Sequence, residues 1–133
     1  MGNEIFVTLT IVSLKHSPEE IDAFVGVKCD NSWRIGDYRA KTIIKEKDNG
    51  WVVNSGLDKN ASIDNHFEEL LRKLSPLSEM IKLLSEENYV EVSCAVYADE
   101  IPSLHFEKDV IHRICKLGAN LDVDLYLRKV EQN

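Results

Sequence analysis

Trp33, Arg34, Gly36, Asp37 and Arg39 lie within one seven-residue stretch, and Trp51 follows twelve residues beyond it. Each guanidinium can grip a carboxylate or a phosphate through paired N–H donors. An indole offers a flat apolar wall, and glycine admits tight backbone geometry. No helix or strand period is legible across residues 32–39. Irregular segments rich in Arg and Trp are where recognition tends to sit on a rigid scaffold. The chemistry implied is capture of an anionic small molecule or of a protein partner. The competing structural reading puts both tryptophans under the loop and pairs Arg34 with Asp37 or another acid, since large aromatics are usually core material.

A second group falls on two strands. Asp122 and Asp124 share one face of a strand, about 7 Å apart at the usual rise per residue. Tyr97 and Tyr126 fall in the same outward register, with Glu91 and Ser93. Such a face could dock a basic protein partner, because tyrosine supplies contact area at low entropic cost. Phe6 and Val12 lie on the corresponding face of the first strand, which favours a covered surface. Two carboxylates without a third ligand in phase do not make a metal site, so no metal and no cofactor are expected.

Other chemistry finds little support. Cys29, Cys94 and Cys115 are far apart and odd in number, which argues against a disulfide framework or a zinc knuckle. Cys94 and Cys115 fall in apolar patterns and read as small buried hydrophobes. His112 and Cys115 are three apart on a helix, without a second ligand pair. Phosphate-cradling glycine loops and nucleophile elbows are missing. The balance leans away from an enzyme.

The net charge is −7 over 133 residues, which opposes nucleic acid and anionic lipid as partners. The charge is uneven, because residues 28–47 carry a net +3 and the remainder −10. No apolar run approaches a membrane span, and the first strand-like stretch is no signal peptide, so a cytoplasmic location is expected. The length fits a single domain over residues 1–133.

The elements that must position these groups read clearly in places. Residues 5–12 alternate as a β-branched strand. Ser17-Pro18-Glu19-Glu20 is an N-cap with a capping box, opening a short helix that ends near Gly26. Residues 42–47 and 51–53 flank Asp48-Asn49-Gly50, which predicts a β-hairpin turning at Asn-Gly. Ser62 caps a helix with Phe67, Leu70, Leu71 and Leu74 on one face, and Pro76 should kink or split it. Residues 89–98 alternate as a second long strand, and residues 104–106 allow a brief extended piece. Val110, Ile111, Ile114 and Leu117 mark a helix closed by Gly118. Leu121, Val123, Leu125 and Leu127 mark a last strand. The order contains a ferredoxin-like β-α-β-β-α-β core with an appended helix and strand, an α+β fold with an antiparallel-rich sheet and helices on one face.

Several short motifs in this order resemble one family. They are the initial strand, the Ser17-Pro18-Glu19-Glu20-Ile21 helix start, Arg34-Ile35-Gly36-Asp37, Gly50-Trp51-Val52-Val53-Asn54-Ser55-Gly56, the Leu70-to-Leu74 helix, and the stretch from Leu117 through Tyr126. Together they are similar to a bacterial family catalogued as a domain of unknown function, number 4279 in its series. The resemblance implies a small cytoplasmic α+β protein and carries over no catalytic residue. The reading that fits best is a non-enzymatic protein–protein interaction module, immunity-like or antitoxin-like in its most specific form, and monomeric or homodimeric. The alternative is a small-molecule anion sensor or weak enzyme using Arg34 and Arg39. The two are told apart by a protein partner versus a metabolite-dependent shift in melting.

Overall fold

Ile5, Val7, Leu9 and Ile11 are buried while Phe6, on the opposite face, is exposed, and this alternation makes the strand Glu4–Ser13 (β1) the centre of the sheet. The computed structural model describes residues 2–128. The helix Pro18–Val25 (α1) starts with the expected capping box. The Ser17 hydroxyl accepts the Glu20 N–H at 3.2 Å, and the Glu20 carboxylate accepts the Ser17 N–H at 3.2 Å. The Ser17 N–H, joined by the His16 imidazole at 3.5 Å, holds the Glu20 carboxyl below its ordinary pKa. Gly26 ends α1 in the left-handed region at φ 92°.

Two strands follow, Asn31–Trp33 (β2) and Asn49–Asn54 (β3). The helix Ile63–Leu74 (α2) is capped by the Ser62 hydroxyl and buries Phe67, Leu70, Leu71 and Leu74. Pro76 lacks the N–H that would continue α2, and the chain passes through a 3-10 turn into the helix Ser78–Leu84 (α3). The strand Tyr89–Ala98 (β4), the helix Lys108–Lys116 (α4) and the strand Asn120–Leu127 (β5) complete the described chain.

The fold is α+β, with a mixed five-stranded sheet in the order β2-β3-β1-β4-β5. Among the described strands only β4 and β5 pair in parallel; β1 is antiparallel to both β3 and β4, and β2 to β3. Val90, Val92, Cys94 and Val96 of β4 join the odd-numbered face of β1 beneath the helices, where the core lies. Phe6, Tyr89, Tyr97 and Tyr126 stand exposed on the other face.

Four expectations need correction. Residues 42–47 do not pair across an Asn-Gly turn: Asn49 and Gly50 lie inside β3, whose hairpin partner is β2. Gly50 is there for close approach, because a Cβ on it would sit inside the Trp33 indole, which lies flat over the glycine. Residues 32–39 are accordingly only partly irregular, with Ser32 and Trp33 in β2 and Tyr38 bridging Lys45. Residues 104–106 form no strand; Phe106 instead meets Phe67 edge to face at 5.3 Å. Cys94 is buried, with its thiol pushed up to about 11 by burial, but Cys115 is exposed on the outer side of α4.

Candidate functional site

The segment 34–48 between β2 and β3 forms an arm with its own short ladder. The Arg34 carbonyl accepts the Asp37 N–H at 3.0 Å, and the Asp37 carboxylate accepts the Arg34 N–H at 2.8 Å, closing a tight turn at Gly36 with φ 92°. Gly36 N–H donates to the Glu46 carbonyl, Glu46 N–H to Asp37, and Arg39 N–H to Ile44, all at 2.7–2.8 Å. Lys41 takes φ 59° at the tip, and the Thr42 hydroxyl donates to the Arg39 carbonyl at 2.9 Å. At the base, Asn49 accepts the Ile35 N–H at 2.9 Å and donates to the His16 carbonyl at 3.0 Å, tying the arm to the β1–α1 loop.

The arm separates the residues that the sequence groups together. Trp33 lies opposite Gly50 and Trp51 lies opposite Ile11, so the two indoles are on opposite faces of the sheet and share no site. Trp33 donates to the Asp48 carboxylate at 3.0 Å; Trp51 is fully buried beneath α1 and donates to Asp22 at 2.6 Å. Arg34 pairs with Glu19 of α1, and Arg39 pairs through Nε with Glu46 at 3.1 Å. Asp37 is spent on the turn. No shared anion pocket is built from Trp33, Arg34, Gly36, Asp37, Arg39 and Trp51.

What the arm presents outward is apolar. Ile43 is 92% exposed at the tip, and Ile35, Tyr38 and Ile44 are each more than half exposed. Lys45 reaches over the Tyr38 ring at 5.4 Å. The signal that could have pointed here is the β-branched run Thr42-Ile43-Ile44 in a basic segment with no alternating polar phase.

The second group does assemble. Tyr97 and Tyr126 stack at 4.8 Å with planes 16° apart, and Phe6 meets Tyr97 edge to face at 6.0 Å. Asp122 and Asp124 continue this face along β5, and the charge of Asp124 raises the Asp122 carboxyl above its ordinary pKa. Among the described residues no three metal-ligating side chains converge.

A serine–histidine pair unread in the sequence lies inside the core. The Ser55 hydroxyl and His66 Nδ1 are 2.7 Å apart, with both residues buried where β3 ends against α2. Without access for a substrate, the pair serves as a tether. Burial lowers the His66 pKa against a smaller opposing pull from Asp58, so the folded protein holds this imidazole neutral. The unfolded chain therefore takes up the proton first as pH falls. The stability contributed is complete above the unfolded value near 6.5 and is lost as pH drops from there toward the depressed folded value, at no more than ~1.4 kcal/mol per pH unit. Denaturant midpoints should fall between pH 7.5 and 5.5 (~1 unit either side of that unfolded pKa), and His66→Gln should flatten that fall.

Sheet order, helix layer and surfaces define an α+β domain built on one mixed sheet, with no helix among the described residues long and apolar enough to cross a membrane. Residues 3–128 match the family described as Domain of unknown function (DUF4279), and the chain belongs to that family. No curated protein and no solved structure matches the chain.

Proposed function

We propose that the protein is a non-enzymatic protein-interaction module that engages its partner through the β2–β3 arm. The observation that carries this reading is the exposure of Ile35, Tyr38, Ile43 and Ile44 on one projecting hairpin. Large apolar side chains grouped on a projection gain from burial against a partner. Lys41, Lys45 and Lys47 lie in the same segment, so the fitting partner is a protein cleft with an apolar floor and a carboxylate rim. An anion sensor built on Arg34 and Arg39 is disfavoured, because each guanidinium already holds a carboxylate that a ligand would have to displace.

The immunity-like or antitoxin-like version draws on the other surface. Tyr97, Tyr126, Asp122 and Asp124 form an aromatic and acidic sheet face suited to a basic enzyme. We read residues 1–133 as a single domain in the cytoplasm. The order β2-β3-β1-β4 with its antiparallel pairings supports a ferredoxin-like core to which α4 and β5 are appended.

Affinity capture from native lysate with wild type and with Ile43→Asp/Ile44→Asp tests the module. The expected result is one stoichiometric protein held by wild type and lost by the double variant, whose Tm stays unchanged because both side chains are solvent-facing. Capture indifferent to that variant, or a melting shift with phosphorylated or carboxylated metabolites that Arg34→Ala/Arg39→Ala abolishes, would overturn it.

A further inference from the structure

The β5 edge differs from the other edge of the sheet. β2 is three residues long and runs into the arm, whereas β5 spans eight residues in unbroken register with β4, from Glu91↔Asn120 to Ala98↔Leu127. It carries no proline, lysine or bulge, three of the usual devices that keep an edge from pairing, and its two charges, Asp122 and Asp124, both lie on the open face. Arg128 N–H donates to the Ala98 carbonyl at 2.8 Å. Backbone direction alternates along a strand, so residues 121, 123, 125 and 127 aim their N–H and C=O groups at the open edge. Among the described residues no strand pairs with them. On the helix side the cover stops one strand short: Val123 is half-buried, but Leu121, Leu125 and Leu127 are exposed, Leu125 at 43%.

We propose that two copies of the chain pair antiparallel along β5, about a twofold axis through Leu125, to form one continuous ten-stranded sheet. The side-chain order of the strand selects this register. An axis through Val123 would set Asp122 opposite Asp124 twice, and one through Asp124 would set that carboxylate against its own copy. An axis through Tyr126 would pair only residues 124–128 of the described strand. With the axis at Leu125, Asp122 faces Arg128 of the second copy, Asp124 faces Tyr126, Val123 faces Leu127, and Leu125 faces itself. On the open face acid meets hydroxyl and no carboxylate faces another, and on the helix side apolar meets apolar.

Arg128 turns its guanidinium inward across β4, to Asp99 at 3.1 Å, to Glu4 of β1 at 3.6 Å and to the Gly2 carbonyl at 2.9 Å, so position 128 sets no carboxylate against the second copy's Asp122. The odd-numbered residues facing each other supply paired N–H···O=C bonds at Leu125 and at both Val123–Leu127 steps. The helices of both copies lie on the same side of the joined sheet, so the exposed leucines of the two β5 strands close on each other between the two α4 helices.

Sedimentation equilibrium of the full chain tests this. Wild type is expected at twice the 15.2 kDa chain mass. Leu125→Glu, which sets two carboxylates together on the axis, should return it to the single-chain mass with unchanged circular dichroism. Leu127→Glu, which sets a carboxylate against Val123 at both ends of the pairing, should raise the dissociation constant at least ~10-fold. On a Cys115→Ser background, Leu125→Cys should oxidise to a covalent dimer, because directly opposed residues lie about 5.5 Å apart, within disulfide reach. Asn120→Cys, far from the axis, should not. A wild type at single-chain mass, or a dimer that Leu125→Glu and Leu127→Glu leave intact, would overturn the proposal.

Discussion

Trp51→Ala is expected to remove about 3–5 kcal/mol of folding stability, a large part of the roughly 5–15 kcal/mol available to such a domain. Three losses combine. The indole is completely buried opposite Ile11, so its removal leaves a cavity in the layer between sheet and α1. Its Nε1 donates at 2.6 Å to Asp22 Oδ1, the same oxygen that accepts the Cys29 N–H at 2.9 Å, and that carboxylate loses one of its two donors. The strand β3 also loses the side chain that seats it beneath α1, and the arm is rooted in β3. Trp51→Phe keeps most of the apolar volume and removes only the donor, so it should cost about 1–3 kcal/mol. Urea unfolding of both variants at one pH checks the order. Equal costs would show that the hydrogen bond, not the buried volume, dominates.

Gly118→Ala should cost about 2–4 kcal/mol, with two causes that a second glycine separates. Gly118 holds φ 72° after α4, its N–H donating to the Cys115 carbonyl at 2.9 Å. A side chain there is strained by conformation, and it also collides with Ser85, whose Cβ would lie 2.6 Å from the added carbon. Ser85 is short and anchored to the Lys82 carbonyl at 2.5 Å, so the α4–β5 turn and the end of α3 would have to move apart. Gly26 has φ 92° and open space, with no atom within 4 Å of the point where an added Cβ would stand, so Gly26→Ala should show the conformational cost alone, about 1–2 kcal/mol. Chemical denaturation of both variants measures the difference. Matching losses would remove the collision from the account.

The elements legible in the sequence are those whose signals are local. Ser17 and Glu20 cap α1 whatever the sheet does, Pro76 stops α2 by its missing N–H, and the alternation of β1 and β4 reports their own buried faces. The hairpin was not legible, because Asn-Gly signals equally a tight turn and a glycine cleared for close approach. Only the Trp33 ring over Gly50 decides between them. The two tryptophans look alike in sequence. Their assignment to opposite faces depends on the β2–β3 register, which sets Trp33 against Gly50 across the arm and which no local pattern encodes. The arginines were legible, but not their partners: Glu19 sits on a helix that folds back onto the base of the arm, and its approach to Arg34 is a tertiary event. On the acidic face, the stacking of Tyr97 on Tyr126 follows from strand parity, which the sequence does carry.

The central place of β1 also governs the order of events in folding. Its partners are β3 on one side and β4 on the other, with Glu4 opposite Tyr97 and Val12 opposite Tyr89, so the first strand made is completed by one of the last. Closing that loop costs chain entropy before the sheet returns any, which delays the step relative to the helices and to the β2–β3 pairing. On the ribosome, the apolar face of residues 5–11 waits without its β4 neighbour until most of the chain has emerged. A fragment ending before Tyr89 leaves β1 as an unprotected edge and should not hold the native sheet.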